Sequence, residues 1–103
     1  MALNGTEGEI ITLAEGAAMT RQWRNSNSNG NAVYYGKEIL TQLLDQDDCV
    51  GIRFHFAINS NGKNTLVLTG VDADSNDLID LVADRGLLCP NECGERNELN
   101  SNS

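Results

Sequence analysis

Three cysteines offer the most varied chemistry in this sequence, and two of them lie close together near its end. Cys89 and Cys93 enclose Pro90 and precede Gly94, a turn-rich composition typical of metal-binding loops. Their spacing is C-x3-C, whereas the strongest zinc and redox pairs use C-x2-C. Three interpretations stay open once Cys49 is included. The thiols are free, or one disulfide pins the C-terminal turn (Cys89–Cys93, or Cys49 with either), or all three bind zinc.

A fourth zinc ligand is hard to find. His55 is the only histidine, and it follows Cys49 by six residues in a stretch that reads as a strand. A straight strand rises about 3.3 Å per residue, which separates the two by about 20 Å. Ligands of one zinc lie within about 4 Å of each other. An acidic residue such as Asp48 or Glu92 would have to complete the site, so we expect no cofactor, with zinc as the alternative.

An acidic turn gives a second candidate metal site. Asp72, Asp74 and Asn76 match the first three side-chain ligands of an EF-hand calcium loop. The match then fails, because Asp77 stands where the tight-turn glycine belongs and Ala83 where the bidentate glutamate belongs. The pattern favours an Asx-rich turn that caps a following helix, with a calcium site as the alternative.

Catalysis has little support in the sequence. His55 lies beside Arg53 on the polar face of the same strand, without a nucleophile at a supporting distance. Phosphate-binding glycine loops and the G-x-S-x-G nucleophile motif are both missing. We therefore expect a protein that is not an enzyme.

Three aromatic residues are candidates for an interaction surface. Trp23, Tyr34 and Tyr35 flank an Asn-rich loop, and Trp and Tyr are enriched at the energetic centres of protein interfaces. The alternative is that they cover one edge of a small core.

Composition narrows the classes of partner and location. The 103 residues carry a formal net charge of −8, and their seven basic residues are scattered. Nucleic acids and anionic membranes are therefore unsuitable partners, because both need clustered Lys and Arg. No apolar run approaches the ~18 residues that span a bilayer, and the first residues lack the pattern of a signal peptide. We expect a cytoplasmic location, or export without a classical signal peptide.

The hydrophobic pattern predicts one α+β domain over residues 1–103, with flexible ends at 1–9 and 95–103. Thr12 and Glu15 form a capping box that opens a helix reaching about Arg24, and a second helix covers residues 36–46. A short third helix is predicted over residues 78–85, before the cysteine turn.

The central prediction is an antiparallel β-hairpin. Residues 50–58 alternate between apolar and other side chains, and Asn61-Gly62 supplies the turn before a return strand that ends near Val71. The even-numbered face is expected to enter the core. Because an isolated hairpin is marginal, residues 32–35 or 87–89 should add a third strand, or the protein should self-associate.

Several short stretches carry a resemblance to a group of short bacterial proteins, mainly from Bacteroidetes-type organisms, that have no assigned activity. These are Ile11-Thr12-Leu13, Met19-Thr20, Cys49-Val50-Gly51-Ile52-Arg53-Phe54, Leu66-Val67-Leu68 and Cys89-Pro90-Asn91-Glu92-Cys93-Gly94. The resemblance spans most of the chain and implies that the three cysteines act together.

The function expected from the sequence is a non-enzymatic protein–protein interaction module, an accessory subunit or a small cargo protein that binds a protein partner or itself. The alternative is a small metal-binding or redox-active protein that uses Cys49, Cys89 and Cys93.

Overall fold

The computed structural model describes residues 2–27 and 29–101 and has the predicted α+β architecture. Two helices and five strands follow each other along the chain: α1 (Leu13–Ser26), β1 (Ala32–Tyr34), α2 (Lys37–Leu44), β2 (Cys49–Ile58), β3 (Asn64–Asp72), β4 (Asp77–Ala83) and β5 (Leu87–Cys89). None of the helices in the described part of the chain is long and apolar enough to cross a membrane.

The predicted hairpin forms two strands of a three-stranded antiparallel sheet with the order β2-β3-β4. Phe54 lies opposite Leu68 across β2 and β3, and the pairing continues to Ile58 opposite Asn64. In the turn, the side-chain oxygen of Asn59 accepts hydrogen bonds from the backbone of Asn61 and Lys63. Gly62 takes the positive φ of 77° that this turn requires and that glycine adopts without strain.

Both N-terminal helices are confirmed. The Thr12 hydroxyl accepts a hydrogen bond from the Glu15 amide at 3.1 Å, which satisfies one of the free amides at the start of α1. Gly36 is the N-cap of α2, whose apolar side packs on the sheet. The core is small and centres on Leu43 of α2 and Leu68 of β3, both 0% exposed, with Ala83 of β4 and the partly buried Ile52 beside them.

Gly70 lets the end of α2 lie directly on the sheet. A Cβ atom at this position would come 2.7 Å from the side-chain nitrogen Nε2 of Gln46, 2.9 Å from Cys49 Sγ and 3.1 Å from the Leu43 carbonyl oxygen. We expect Gly70→Ala to lower the free energy of unfolding by about 1 to 3 kcal/mol, because backbone of α2 would have to move. Thermal unfolding should show this against Gly51→Ala, where an added Cβ meets no atom within 4 Å. Equal melting temperatures for the two variants would contradict this account.

The predicted third helix over residues 78–85 is wrong, because this segment is strand β4. It pairs antiparallel with β3, with Asp77 opposite Val71 and Ala83 opposite Leu68, and a bulge separates the two paired parts. A short apolar run of this kind fits either a buried strand or a helix, and the open side of β3 decides between them. Ile79 and Val82 are β-branched residues that favour a strand.

The predicted third strand is also corrected. Both candidate segments are strands, but β1 and β5 pair with each other in a separate two-stranded sheet, with Val33 opposite Leu88. Gly86 permits this pairing, since a Cβ there would come 2.6 Å from a Val33 methyl carbon and 2.7 Å from the Tyr34 carbonyl oxygen. The third strand of the hairpin sheet is β4.

The even-numbered face of β2 enters the core only at one end, which corrects the expectation that all of it would be buried. The eight residues of α2 make a helix about 12 Å long, whereas the ten residues of β2 span about 33 Å. Helix α2 therefore covers the Ile52 end of the strand and leaves the Ile58 end open.

The ends of the chain make specific contacts. The Leu3 amide donates to the Ala73 carbonyl at 2.8 Å, and Arg24 donates to the carbonyl oxygens of Leu99 and Ser101 at 2.6 and 3.0 Å. Residues 1, 102 and 103 of the predicted flexible ends lie outside the described residues. The single-domain organisation and the flexibility of 1–9 and 95–103 stay predictions.

Candidate interaction surface

One side of strand β2 has unpaired main chain. The Asn59 amide donates to the Lys63 carbonyl at 2.9 Å, toward β3. Because alternate residues of an antiparallel strand bond to opposite sides, the odd-numbered residues of β2 after its bulge bond to β3. The N–H and C=O groups of Ile52, Phe54, Phe56 and Ile58 therefore point away from β3. Across residues 2–27 and 29–101, no strand pairs with that side.

The same stretch carries exposed apolar side chains. Phe54 is 52% exposed, Phe56 94% and Ile58 73%. We call these three side chains, together with the outward main chain of residues 52–58, the β2 edge. Large apolar side chains beside unpaired main chain are the two components that an added β-strand recognises.

The β2 edge lacks the features by which proteins block unwanted strand pairing. Its strand is 10 residues long and contains no proline, lysine or acidic residue. Its only bulge lies at the Cys49 end. Protected edges are usually short, bulged, charged or covered.

The opposite edge of the sheet is strand β4, which is three residues shorter than β2. Strand β4 is bulged and carries Asp77 and Asp80. Beyond β4, the Tyr35 hydroxyl donates to the Leu66 carbonyl, and the Asn64 amide donates to the Asn29 carbonyl at 2.8 Å. Both bonds close main-chain groups of β3 that β4 does not reach.

An apolar groove of about 350 Å³ adjoins the β2 edge. Its walls include Trp23 of α1, Val33 of β1, Phe56 of β2, Leu66 of β3 and Leu99 of the C-terminal segment. The Trp23 indole nitrogen donates to the Gly30 carbonyl at 3.0 Å, which fixes the ring at the groove. One of the three predicted interaction residues therefore lies at this surface.

The two tyrosines are separated. Tyr34 is 61% exposed on β1, whereas Tyr35 is half-buried, packs against the core and donates its hydroxyl proton to Leu66. Burial raises the pKa of the Tyr35 hydroxyl, and the nearby Asp84 carboxylate adds to the increase. The role of Trp23, Tyr34 and Tyr35 in an interaction stays a prediction.

Arg53 and His55 lie on the other face of β2, in a polar cluster. The Asp77 carboxylate accepts hydrogen bonds from the Thr69 hydroxyl and the Arg53 guanidinium, both at 2.9 Å. His55 Nε2 lies 3.1 Å from the Thr69 hydroxyl and 3.5 Å from Asp77. The cluster ties β2, β3 and β4 together and leaves His55 without an adjacent nucleophilic thiol.

The hydrogen bond from Thr69, supported by Arg53, holds the pKa of Asp77 below its usual range despite partial desolvation. A lowered pKa in the folded state contributes stability above the unfolded pKa, and that contribution is lost as the pH falls through the folded pKa. We expect the stability difference between the wild type and Asp77→Asn to be largest near neutral pH and to shrink below about pH 4. Urea unfolding across this range checks it, and a difference that stays constant with pH would contradict it.

The cysteines do not form one cluster. Cys89 and Cys93 are joined by a disulfide with a Cα–Cα distance of 4.9 Å. This is one of the alternatives that the sequence left open. Cys49 has a free thiol at the start of β2, and its Sγ lies 3.2 Å from the Gly51 carbonyl oxygen. In the described part of the chain, no group of three His, Cys, Asp or Glu side chains is placed to hold a metal ion.

The acidic turn connects β3 to β4. Asp72 Oδ1 accepts hydrogen bonds from the backbone amides of Asp74 and Asn76, both at 2.9 Å. Ser75 takes a positive φ of 69° within the turn. These bonds give Asp72 the structural role of an Asx turn, but the helix that this turn was expected to cap is strand β4. Calcium binding by Asp72, Asp74 and Asn76 stays an untested alternative.

The protein exposes more surface than a folded chain of its size normally does. Its accessible surface is 7699 Å², whereas a monomer of 11.2 kDa is expected to expose about 5,700 Å². The radius of gyration is 15.1 Å against an expected value of about 13 Å. The chain therefore packs less compactly than an average monomer of its mass and leaves more of its surface accessible.

No protein-family model, curated protein or solved structure matches this chain.

Proposed function

We propose that this protein is a non-enzymatic interaction module that binds a protein partner by adding a strand to the β2 edge. The observation that carries this proposal is the unprotected main chain of residues 52–58, flanked by the exposed side chains of Phe54, Phe56 and Ile58. In strand addition, main-chain hydrogen bonds provide affinity and alternate side chains provide specificity.

The distribution of charge supports a protein partner. Residues 49–71 contain no acidic residue, although the whole chain has 15. Arg53 is held by Asp77 at 2.9 Å, so the main cation of β2 is neutralised within its own chain. The β2 edge is therefore close to neutral and apolar, which suits a protein strand rather than a polyanion.

A pair of substitutions tests the proposal. Phe56→Lys places a charge at the centre of the β2 edge, and Ile79→Lys places the same charge on β4, at a side chain that is 74% exposed. In an extract of the organism that encodes the protein, we expect the tagged wild type to migrate as a complex well above its 11.2 kDa mass. Phe56→Lys should lose the complex, while Ile79→Lys should keep it. A wild type that migrates as a monomer, or a complex that both variants retain, would reject the proposal.

A metal or redox function of the cysteines is the second candidate, and the Cys89–Cys93 disulfide is the observation that favours it. Reduction would release two closely spaced thiols beside Pro90, to which Cys49 would add a third. Elemental analysis of protein purified without oxygen tests it. One zinc per chain that is lost in Cys49→Ser would support this function. If the protein contains no metal, and one thiol titrates before reduction and three afterwards, zinc binding by the cysteines is rejected.

A further inference from the structure

We propose that the partner at the β2 edge is a second copy of this chain, paired antiparallel through β2 about a twofold axis at His55. The two three-stranded sheets then become one continuous sheet of six strands. This inference rests on the proposed function and names its partner. It depends on three properties of β2: the direction of its free main chain, its symmetry about His55 and its local charge.

The free main-chain groups limit the possible registers. Only even-numbered residues of β2 present N–H and C=O groups outward, so each must face an even-numbered residue of the partner strand. Pairing about His55 places Phe54 opposite the partner's Phe56 and Ile52 opposite the partner's Ile58. Residues 52–58 then overlap completely, all within the part of β2 that follows its bulge.

Side-chain complementarity selects the same register. Aromatic residues face aromatic residues and isoleucine faces isoleucine, and such cross-strand pairs stabilise sheets. A two-residue shift one way places Ile52 opposite a turn residue, the partner's Ser60. A shift the other way places Arg53 opposite the partner's His55. In the register about His55, Arg53 instead faces the partner's Ala57, which has a small side chain.

The local charge permits two copies to meet at the β2 edge. Two chains of net charge −8 repel each other, but residues 49–71 contain none of the 15 acidic residues. Repulsion between two copies is therefore reduced where their β2 edges meet. A partner selected by opposite charge would instead be drawn to the acidic surface outside the hairpin.

The available area fits a stable dimer. The exposed fractions of Phe54, Phe56 and Ile58 correspond to roughly 400 Å² of apolar surface per chain. The main chain of residues 52–58 and the mouth of the groove beside Phe56 add to this area. A standard interface buries about 800 Å² per partner. This chain exposes more than that amount beyond the accessible surface expected for a monomer of its mass.

Cysteine cross-linking in a Cys49→Ser background tests the register, with Cys89 and Cys93 already bonded to each other. Directly opposed, non-hydrogen-bonded residues have Cα atoms about 4.5 Å apart, a distance that a disulfide can bridge. In the proposed register, position 55 of one copy lies directly opposite position 55 of the other. Two His55→Cys thiols are therefore close enough to form a disulfide. Ala57→Cys is the matched control, because each copy then faces the partner's Arg53 and the two thiols lie about 13 Å apart along the strand.

We expect the purified wild type to have a mass near twice 11.2 kDa, and mild oxidation to cross-link His55→Cys but not Ala57→Cys. The mass of the noncovalent assembly should be measured at protein concentrations from about 1 to 100 µM. A dimer in which His55→Cys does not cross-link would overturn the pairing, and so would a wild type that stays monomeric at the highest concentration. If the purified protein is monomeric while Phe56→Lys still abolishes a complex in the native extract, the proposed function stands and only the second copy is rejected.

Discussion

Phe56→Lys is expected to weaken association at the β2 edge by at least about 100-fold, or ~3 kcal/mol, with no loss of folding. Phe56 is 94% exposed in the single chain, so the substitution removes almost no intramolecular packing. In the complex, the same side chain would be at the centre of the interface, where a lysine ammonium group would lose its hydration without gaining a partner. Sedimentation equilibrium across a concentration series measures the effect.

Ile79→Lys is the control, because it changes the charge equally at an exposed apolar position of β4. It should associate with the wild-type affinity. The monomeric state of Phe56→Lys should unfold within about 0.5 kcal/mol of the wild-type monomer, as surface substitutions usually do. Equal weakening in both variants would mean that association depends on net charge and not on the β2 edge.

Leu43→Ala is expected to have the largest effect on folding, a loss of about 2 to 5 kcal/mol in the free energy of unfolding. Leu43 is 0% exposed and lies between α2 and the sheet, and Leu68 is its main buried neighbour in a small core. The cavity left by alanine would be difficult to close, because Gly70 already allows the end of α2 to approach the sheet as closely as backbone atoms permit.

Urea unfolding of the wild type and the variant at the same low protein concentration measures this loss with the contribution from association kept small. Leu44→Ala is the matched control, since the next residue of α2 is 48% exposed. Its midpoint should shift much less. Similar shifts for the two variants would contradict the position of the core described here.

The elements predicted correctly depend on local signals. The hydroxyl of Thr12 caps α1, paired leucines and isoleucines define α2, and Asn61-Gly62 closes the hairpin. Each signal involves residues that are close in the sequence, so a single chain carries enough information to place these elements.

The incorrect predictions concern contacts between distant residues. Residues 78–83 have no local preference strong enough to resist pairing with the open side of β3. The segments 32–34 and 87–89 look alike as candidate strands. Their pairing with each other depends on the tertiary structure, which brings these distant segments together. The prediction that the whole even-numbered face of β2 is buried was wrong, because α2 is too short to cover the full strand.

The candidate site shows the same division. Alternation predicted that Phe54, Phe56 and Ile58 share a face, but only the tertiary structure shows that more than half of each side chain is left exposed by the described part of the chain. Thr69 and Asp77 were not predicted to meet Arg53 and His55, because that contact crosses three strands.

Residue-resolved amide hydrogen exchange along β2 tests the β2 edge most directly. The odd amides from Arg53 to Asn59 donate to β3 in the single chain, so they should be protected at every protein concentration. The amides of Phe54, Phe56 and Ile58 should exchange rapidly in dilute protein and become protected as the concentration rises. In Phe56→Lys they should stay unprotected. Even-numbered amides that exchange rapidly while the wild type is demonstrably associated would contradict strand addition at this edge.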